Sequence, residues 1–278
     1  VDAVVSVAAA CRRHGVPLTL RGSGTGNYGQ SVPLESGVVM LMTQLRAVRS
    51  IDQNSGVVTV ECGCLMKDLN RELARVGRQL RLMPSTWRSA TIGGFIAGGS
   101  GGIGSVRWGF LRDPGHLLGL EVVTMEQQPR VLQLEAGDAE ALNHAYGTNG
   151  IITALRLATA TSVDWQELVV DCPDWRTAVD LARRCTSAAI DLHLCTVLEA
   201  AVVELLPNWD LPQRRSDRLL LLVAPDAVST VQRLASAVGA GMTHLGAEAE
   251  INVIGRHQLR RINKTLKLIR RDPRCTNM

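Results

Sequence analysis

The sequence is short of aromatic residues. Two Phe, two Tyr and five Trp in 278 positions are too few for the stacking platforms that hold single-stranded nucleic acid. Lysine is scarcer still: Lys67, Lys264 and Lys267 are the only ones, so the net charge of +4 rests on arginine. Such a mild excess gives no reason to expect a nucleic-acid partner. No apolar run reaches the ~18 residues a bilayer-spanning helix needs, and no signal-peptide pattern opens the chain. The seven cysteines, at 11, 62, 64, 172, 185, 195 and 275, form no CxxC pair and have no histidine cluster beside them. No metal site is therefore expected. Their odd number and irregular spacing suit a reducing compartment, so a cytoplasmic protein is expected.

What is abundant is apolar residues and glycine. With 46% hydrophobic residues over 278 positions, the chain can bury a core larger than one small domain needs. Val4, Val5, Ala8 and Cys11 recur at helical spacing up to Gly15. Val16–Leu20 reads as a buried strand, and Gly37–Leu41 as another. Val48–Asp52 and Val57–Cys62 make a hairpin through Gln53-Asn-Ser-Gly56, with Cys62 and Cys64 sharing a face. Leu65, Leu69, Leu73 and Val76 mark a helix capped by Gly77. Leu117–Met125 and Val131–Leu134 read as strands, Ala139–Ala145 as a short helix, and Ile151–Leu157 as a strand. Beyond about 161 the pattern is strand, helix, strand, strand, helix, without a new glycine-rich loop. A boundary is expected near 160, with units at 1–160 and 161–278.

Three glycine-rich segments stand out. The first, Arg21-Gly-Ser-Gly-Thr-Gly-Asn-Tyr-Gly29, fits GxGxxG after a strand, and Asp52 lies at a plausible distance for a ribose contact. A dinucleotide-binding loop of that kind must open a helix, however. Gln30 to Gly37 holds Pro33 and runs into β-branched residues, so no helix can start there. Without Cβ atoms, the loop can still turn successive N–H groups onto an anion. The second segment runs from Pro84 to Gly109. Its glycines alternate with Ile92, Phe95, Ile96 and Ile103, which implies backbone packed tightly against a flat partner rather than a solvated linker. The third, Gly147-Thr-Asn-Gly150, is an ordinary connection taken alone.

Taken in order, Arg21-Gly-Ser-Gly-Thr-Gly, Ala90-Thr-Ile-Gly-Gly with Ala97-Gly-Gly-Ser-Gly-Gly, Arg107-Trp-Gly, Leu118-Gly-Leu-Glu-Val-Val, and Gly147 to Thr153 resemble the FAD-binding domain of the vanillyl-alcohol oxidase / p-cresol methylhydroxylase (PCMH) superfamily. The resemblance is strongest to the glycolate oxidase subunit and D-lactate dehydrogenase type, and covers about residues 1–160. It implies an α+β fold: two subdomains around FAD, followed by a partial α+β cap or substrate domain at 161–278. By the same resemblance Arg21, Gly22, Ser23, Gly24, Thr25, Gly26 and Asn27 would hold the pyrophosphate. Pro84, Ser85, Thr91, Ile92, Gly93, Gly94, Ala97, Gly98, Gly101 and Gly102 would line the pyrophosphate and flavin, and Gly150, Ile151 and Ile152 the adenosine.

Some relatives attach FAD through a histidine in the first loop or a cysteine in the second. Gln30 closes the first loop here and no cysteine lies between 84 and 109, so a non-covalent flavin is expected. Phe95 stands where the lactate-type relatives often carry a polar residue. The implied activity is that of a FAD-linked oxidase or dehydrogenase, taking a hydride from a small 2-hydroxy acid or related alcohol. A FAD-binding subunit without its own turnover and an enolpyruvyl-UDP-glucosamine reductase-like enzyme are the alternatives. The electron acceptor and catalytic base are not legible, and a homo-oligomer fits as well as a monomer. Arg256 to Arg271 reads as an amphipathic helix with a solvated basic face. A peripheral membrane contact is a further reading of that face, which lacks Trp or Phe anchors. The opening inside an amphipathic pattern and the ending at Met278 suggest that both ends are interior points of a longer protein.

Overall fold

In the computed structural model, which describes residues 1–99, 101–204 and 216–247, the chain opens on helix α1 (Asp2–His14), burying Val4, Ala8 and Cys11. Gly15 ends it in the left-handed conformation (φ 63°) and returns its N–H to Cys11 O, as a glycine C-cap does. Strands β1 (Leu18–Arg21) and β2 (Val38–Leu41) then pair in parallel, Leu18 opposite Val38 and Arg21 opposite Leu41. A parallel pair needs a crossover. Here the crossover is the first glycine-rich loop itself, which contains no helix between Gly22 and Gly37. The dinucleotide-fold reading fails on that point. Asp52 also sits away from any ribose role, since its carboxylate accepts from Asn54 N (2.9 Å) and from the hydroxyl of Ser55 (2.6 Å) in the hairpin turn.

The hairpin of β3 (Val48–Asp52) and β4 (Val57–Glu61) opens a larger antiparallel sheet. After it come α2 (Met66–Ala74), burying Met66, Leu69 and Leu73, and β5 (Arg78–Leu80). The second glycine-rich segment contains α3 (Ile92–Gly98) and α4 (Ser105–Trp108). Strands β6 (Leu117–Val123) and β7 (Val131–Glu135), the short α5 (Ala136–Ala139) and the long β8 (Ile151–Thr161) complete the first unit. Its main sheet runs β3-β4-β8-β6-β7, with β5 also paired to β8. The core lies along β8, where Ile151 to Leu155 and Leu157 are buried with Val58, Val60, Leu120 and Val122.

The tight segment at 84–109 is in part helical, because Ile92, Phe95 and Ile96 share one helical face and Thr91 caps the first turn. The helix expected at Ala139–Ala145 instead occupies Ala136–Ala139. Beyond it the backbone winds in three-residue turns, such as Leu142 N to Ala139 O (3.0 Å) and Asn143 N to Glu140 O (3.2 Å), until left-handed residues stop it.

The described residues form two compact units: 1–102 with 108–162, and 103–107 with 163 onward. In the second, β9 (Gln166–Cys172), α6 (Trp175–Ser187), β10 (Leu192–Leu198), the short α7 (Ala200–Glu204), β11 (Asp217–Val223), α8 (Val228–Ser236) and β12 (Gly241–Ala247) follow in turn. The sheet order is β10-β11-β9-β12, all antiparallel. Apart from α7, this is the split βαββαβ arrangement. One core gathers Leu168, Val170, Leu219 and Leu221 with Ala178, Leu181 and Val231 of α6 and α8. On alternate positions Arg218, 2% exposed, pairs with Asp171 at 2.7 Å, and Ser216 donates to the same carboxylate at 2.7 Å. His193 stacks on Trp165 at 4.6 Å, and Arg107, ion-paired with Asp191, lies over the same Trp165 ring. The basic stretch 256–271, with His257, lies outside the described residues.

Candidate cofactor site

The first loop leaves β1 at Gly22, where an added Cβ would collide with Thr91 Oγ1. The first and second glycine-rich segments therefore touch backbone to side chain. Gly24 adopts φ 68°, which glycine alone takes without strain. Arg21 folds back over its own loop, donating from Nη1 to Ser31 O at 3.4 Å. Its guanidinium lies so close to Gly24 that a Cβ there would be 2.5 Å from Nη2. At Gly26 a side chain would strike the carboxamide of Gln30.

The second segment is pinned against the end of β4. Met66 N donates to Ala90 O (3.0 Å), Ile92 N to Cys64 O (2.9 Å) and Gly93 N to Cys62 O (2.8 Å). A Cβ on Gly93 would stand 2.8 Å from Cys62 O, so glycine is what lets the two backbones meet. Thr91 caps α3 by accepting from Gly94 N at 3.3 Å, and Gly99 closes it at φ 61°. The turn just ahead of the third segment clamps the far end of this helix, with His144 N donating to Ile96 O (3.0 Å) and Tyr146 N to Ala97 O (2.9 Å).

Between the three segments, within the first unit, lies a cleft of about 270 Å³. Arg21 to Asn27, Pro84, Ser85, Thr91, Gly93, Gly94, Ala97, Gly98, Gly101, Gly150 and Ile152 line it. Three residues expected there do not. Ile151 alternates with Ile152 along β8 and faces the other side of the sheet. Ile92 is buried, 1% exposed, among Leu82, Ile96, Leu111 and Leu157. Gly102 abuts the carbonyl of Met83 behind Pro84. Conversely, Leu20, Tyr28, Gln30, Ser31, Met42, Cys62, Thr86, Ala90, Phe95, Tyr146 and Gly147 also line the cleft. Those next to a glycine segment could have been read by extension. Met42 and Cys62 arrive only through the pairing of β1 with β2 and of 62–66 with 90–93, for which the sequence carries no local signal.

Among the described lining residues Arg21 is the one charged side chain, and no carboxylate is present. A backbone cradle without acidic groups fits a pyrophosphate. Gln30 Oε1 is buried with no hydrogen-bond donor among the described residues, and a ligand carrying N–H or O–H groups would supply one. Burial, and then Glu61, push the Cys62 thiol up to about 12. It is a packing group here, not a nucleophile.

Comparison with known proteins agrees with this geometry. Residues 1–128 match the family model described as FAD binding domain. Among curated proteins, the chain is 34% identical over 122 residues to the glycolate oxidase subunit GlcD of Bacillus subtilis, covering 44% of this chain and 26% of that protein. It is 24% identical over 239 residues to the D-lactate dehydrogenase of Archaeoglobus fulgidus, covering 81% and 53%. Among solved structures, alkyldihydroxyacetonephosphate synthase superposes with a TM-score of 0.78 at 20% identity, over 95% of this chain and 57% of that one. That last likeness concerns the fold alone. The chain thus spans about a quarter to a half of the length of these curated relatives. Over its first 128 residues the chain thus matches the FAD binding domain model, and it is similar to glycolate oxidase subunits and D-lactate dehydrogenases.

Proposed function

We propose that this chain is the flavin-holding part of an oxidoreductase that oxidises a small 2-hydroxy acid, with the FAD held non-covalently. The observation that carries the reading is the cleft itself: three glycine-rich segments, far apart in sequence, meet around one cavity free of carboxylates. Arg21 to Asn27 would receive the pyrophosphate on backbone N–H groups, and Arg21 would add positive charge beside it. Thr91, Gly93 and Gly94 would form the opposite wall. Cys62, Met42 and Phe95 would exclude water from the bound rings.

When bound, the cofactor would accept the hydride from the substrate carbon that bears the hydroxyl, while a base takes the hydroxyl proton. A 2-hydroxy acid is favoured because the curated proteins similar to this chain include a glycolate oxidase subunit and D-lactate dehydrogenases. Residues 163 onward would serve as part of the substrate-covering domain, and the partner is a small molecule rather than a macromolecule. Among the described residues no helix is long and apolar enough to cross a membrane.

The test is direct. The purified protein is expected to be yellow or to take up added FAD. Anaerobic mixing of the natural-length protein with glycolate or D-lactate should bleach the flavin absorption. A protein that takes up no FAD would sink the whole reading. A flavin that neither acid reduces would sink the substrate class alone.

A further inference from the structure

The turn His144–Tyr146, just ahead of the third segment, carries a device that the glycine motifs do not account for. Among the described residues only three non-glycine positions have positive φ, and two of them, His144 (60°) and Tyr146 (52°), flank Ala145. Left-handed backbone is costly for a histidine or a tyrosine and persists only where the surroundings impose it. Here the surroundings do. The N–H groups of both residues are taken by the end of α3, and Gly99 leaves room for the His144 ring, which any side chain there would strike. The result is a fixed aromatic pair. His144 Nε2 and the Tyr146 hydroxyl share a hydrogen bond of 2.9 Å, and the rings meet edge to face at 5.2 Å and 74°. Tyr146 lines the cleft and is still 38% exposed. Two strained residues and a tethered hydroxyl thus hold one flat ring at the cavity.

We propose that Tyr146 stacks on the adenine of the bound dinucleotide and that His144 is the positioning residue that fixes its ring. This rests on the cleft being the FAD site. Around Tyr146, its own N–H meets Ala97 O, and the adjoining Gly147 abuts the side chain of Leu20; all three residues line the cleft. They offer apolar surface and no side-chain donor, which suits a purine face held by stacking. The hydroxyls of Ser85, Thr86 and Thr91 come from the other segment and suit the hydrogen-bonding edge of a flavin. A ring pre-set in this way stacks without losing rotamer freedom on binding, so its contribution to affinity is not offset by ordering.

The experiment measures the dissociation constants of FAD and of ADP, the latter by displacement of FAD, for wild type, Tyr146→Phe and Tyr146→Ala. Stacking on a base is typically worth enough to change affinity about tenfold when the ring is removed. Tyr146→Ala should therefore weaken FAD and ADP by the same factor, about tenfold, while Tyr146→Phe, which keeps the ring but loses the tether to His144, should weaken both about threefold. His144→Ala should weaken both ligands about threefold, and His144→Gln should recover most of that loss. Loss of FAD affinity with ADP unchanged would place the ring over the flavin and overturn the proposal. So would unchanged affinity for both, or failure of ADP to compete on the wild-type protein. Circular dichroism of each apo variant separates loss of the ring from loss of the fold. A wild type that binds no FAD would instead refute the cofactor site, leaving the two outcomes distinct.

Discussion

At the scale of single residues, the glycines of the cleft act by what they leave out. Gly93 is the sharpest case. A Cβ there would press on Cys62, 2.5 Å from its Cβ and 2.8 Å from its carbonyl oxygen, and neither can swing away. Overpacking of this kind costs about 1–3 kcal/mol. Gly93→Ala should lower the melting temperature by several degrees and weaken FAD binding. Gly137→Ala, with open space around it inside α5, should be neutral or slightly stabilising. Thermal melts of the two side by side check both. Cys62 supports a second expectation. A thiol pushed up to about 12 by burial carries almost no thiolate at neutral pH, so it should not attack a flavin. Acid precipitation should leave the colour in the supernatant, and colour retained in the pellet would refute non-covalent binding. Which glycines matter was visible in the sequence as clustering. Which atom each one faces was not, because Gly22 meets Thr91 and Gly93 meets Cys62 across gaps of tens of residues.

At the scale of elements, α3 shows how tertiary packing overrides local preference. Ile92-Gly-Gly-Phe-Ile-Ala-Gly98 is a poor helix on propensity alone, and its glycine content hid the i, i+3, i+4 spacing of Ile92, Phe95 and Ile96. The Thr91 cap and the clamp from Ile96 and Ala97 to His144 and Tyr146 hold it in place. The converse happened at Ala139–Ala145, where a helical pattern yields to turns that end in the left-handed His144. The hairpin β3–β4 and helix α2 were legible, since a turn sequence and a single apolar stripe specify them locally. In the second unit, β9 and β11 are tied by the buried Arg218–Asp171 pair at 2.7 Å. Removing one partner of such a pair leaves the other charge buried, at about 3–5 kcal/mol. Arg218→Met should lower the urea midpoint of this unit markedly, and replacing Asp171 with Leu in the same chain should recover part of the loss.

At the scale of the whole molecule, stability should have a plateau bounded by buried groups that resist ionisation. Burial, and then Arg107, hold His193 down to about 4. In the unfolded chain a histidine titrates near ~6.5. The neutral form is favoured on folding, so this contribution is present above about 6.5 and is lost as pH falls from there towards 4. Burial moves the thiols the other way, to about 12 at Cys62 and about 11 at Cys64, Cys172, Cys185 and Cys195. Unfolded thiols ionise near ~8.5, so that contribution is complete below about 8.5 and drains away as pH rises through 11. With only two tyrosines and three lysines in the chain, little else titrates there. Denaturant midpoints across the pH range should show both limbs. His193→Gln should flatten the acid limb, and Cys185→Ala part of the alkaline one. A stability that stays level up to pH 11 would show that the thiols are not held as described.

The sequence by itself determined that three glycine-rich segments interrupt a regular α+β pattern, in an order and spacing that resemble one family of FAD-binding domains. It also excluded a helix after Gly29, since Pro33 and the β-branched residues that follow forbid one locally. Only the tertiary structure decided that the segments close on a single cleft, that Ile92 and Ile151 turn away from it, and that Tyr146 turns towards it. The reason is physical: propensity and periodicity act over a few residues, whereas a cleft wall is set by segments that meet from 30 or more positions apart, such as Cys62 with Gly93 and Gly22 with Thr91.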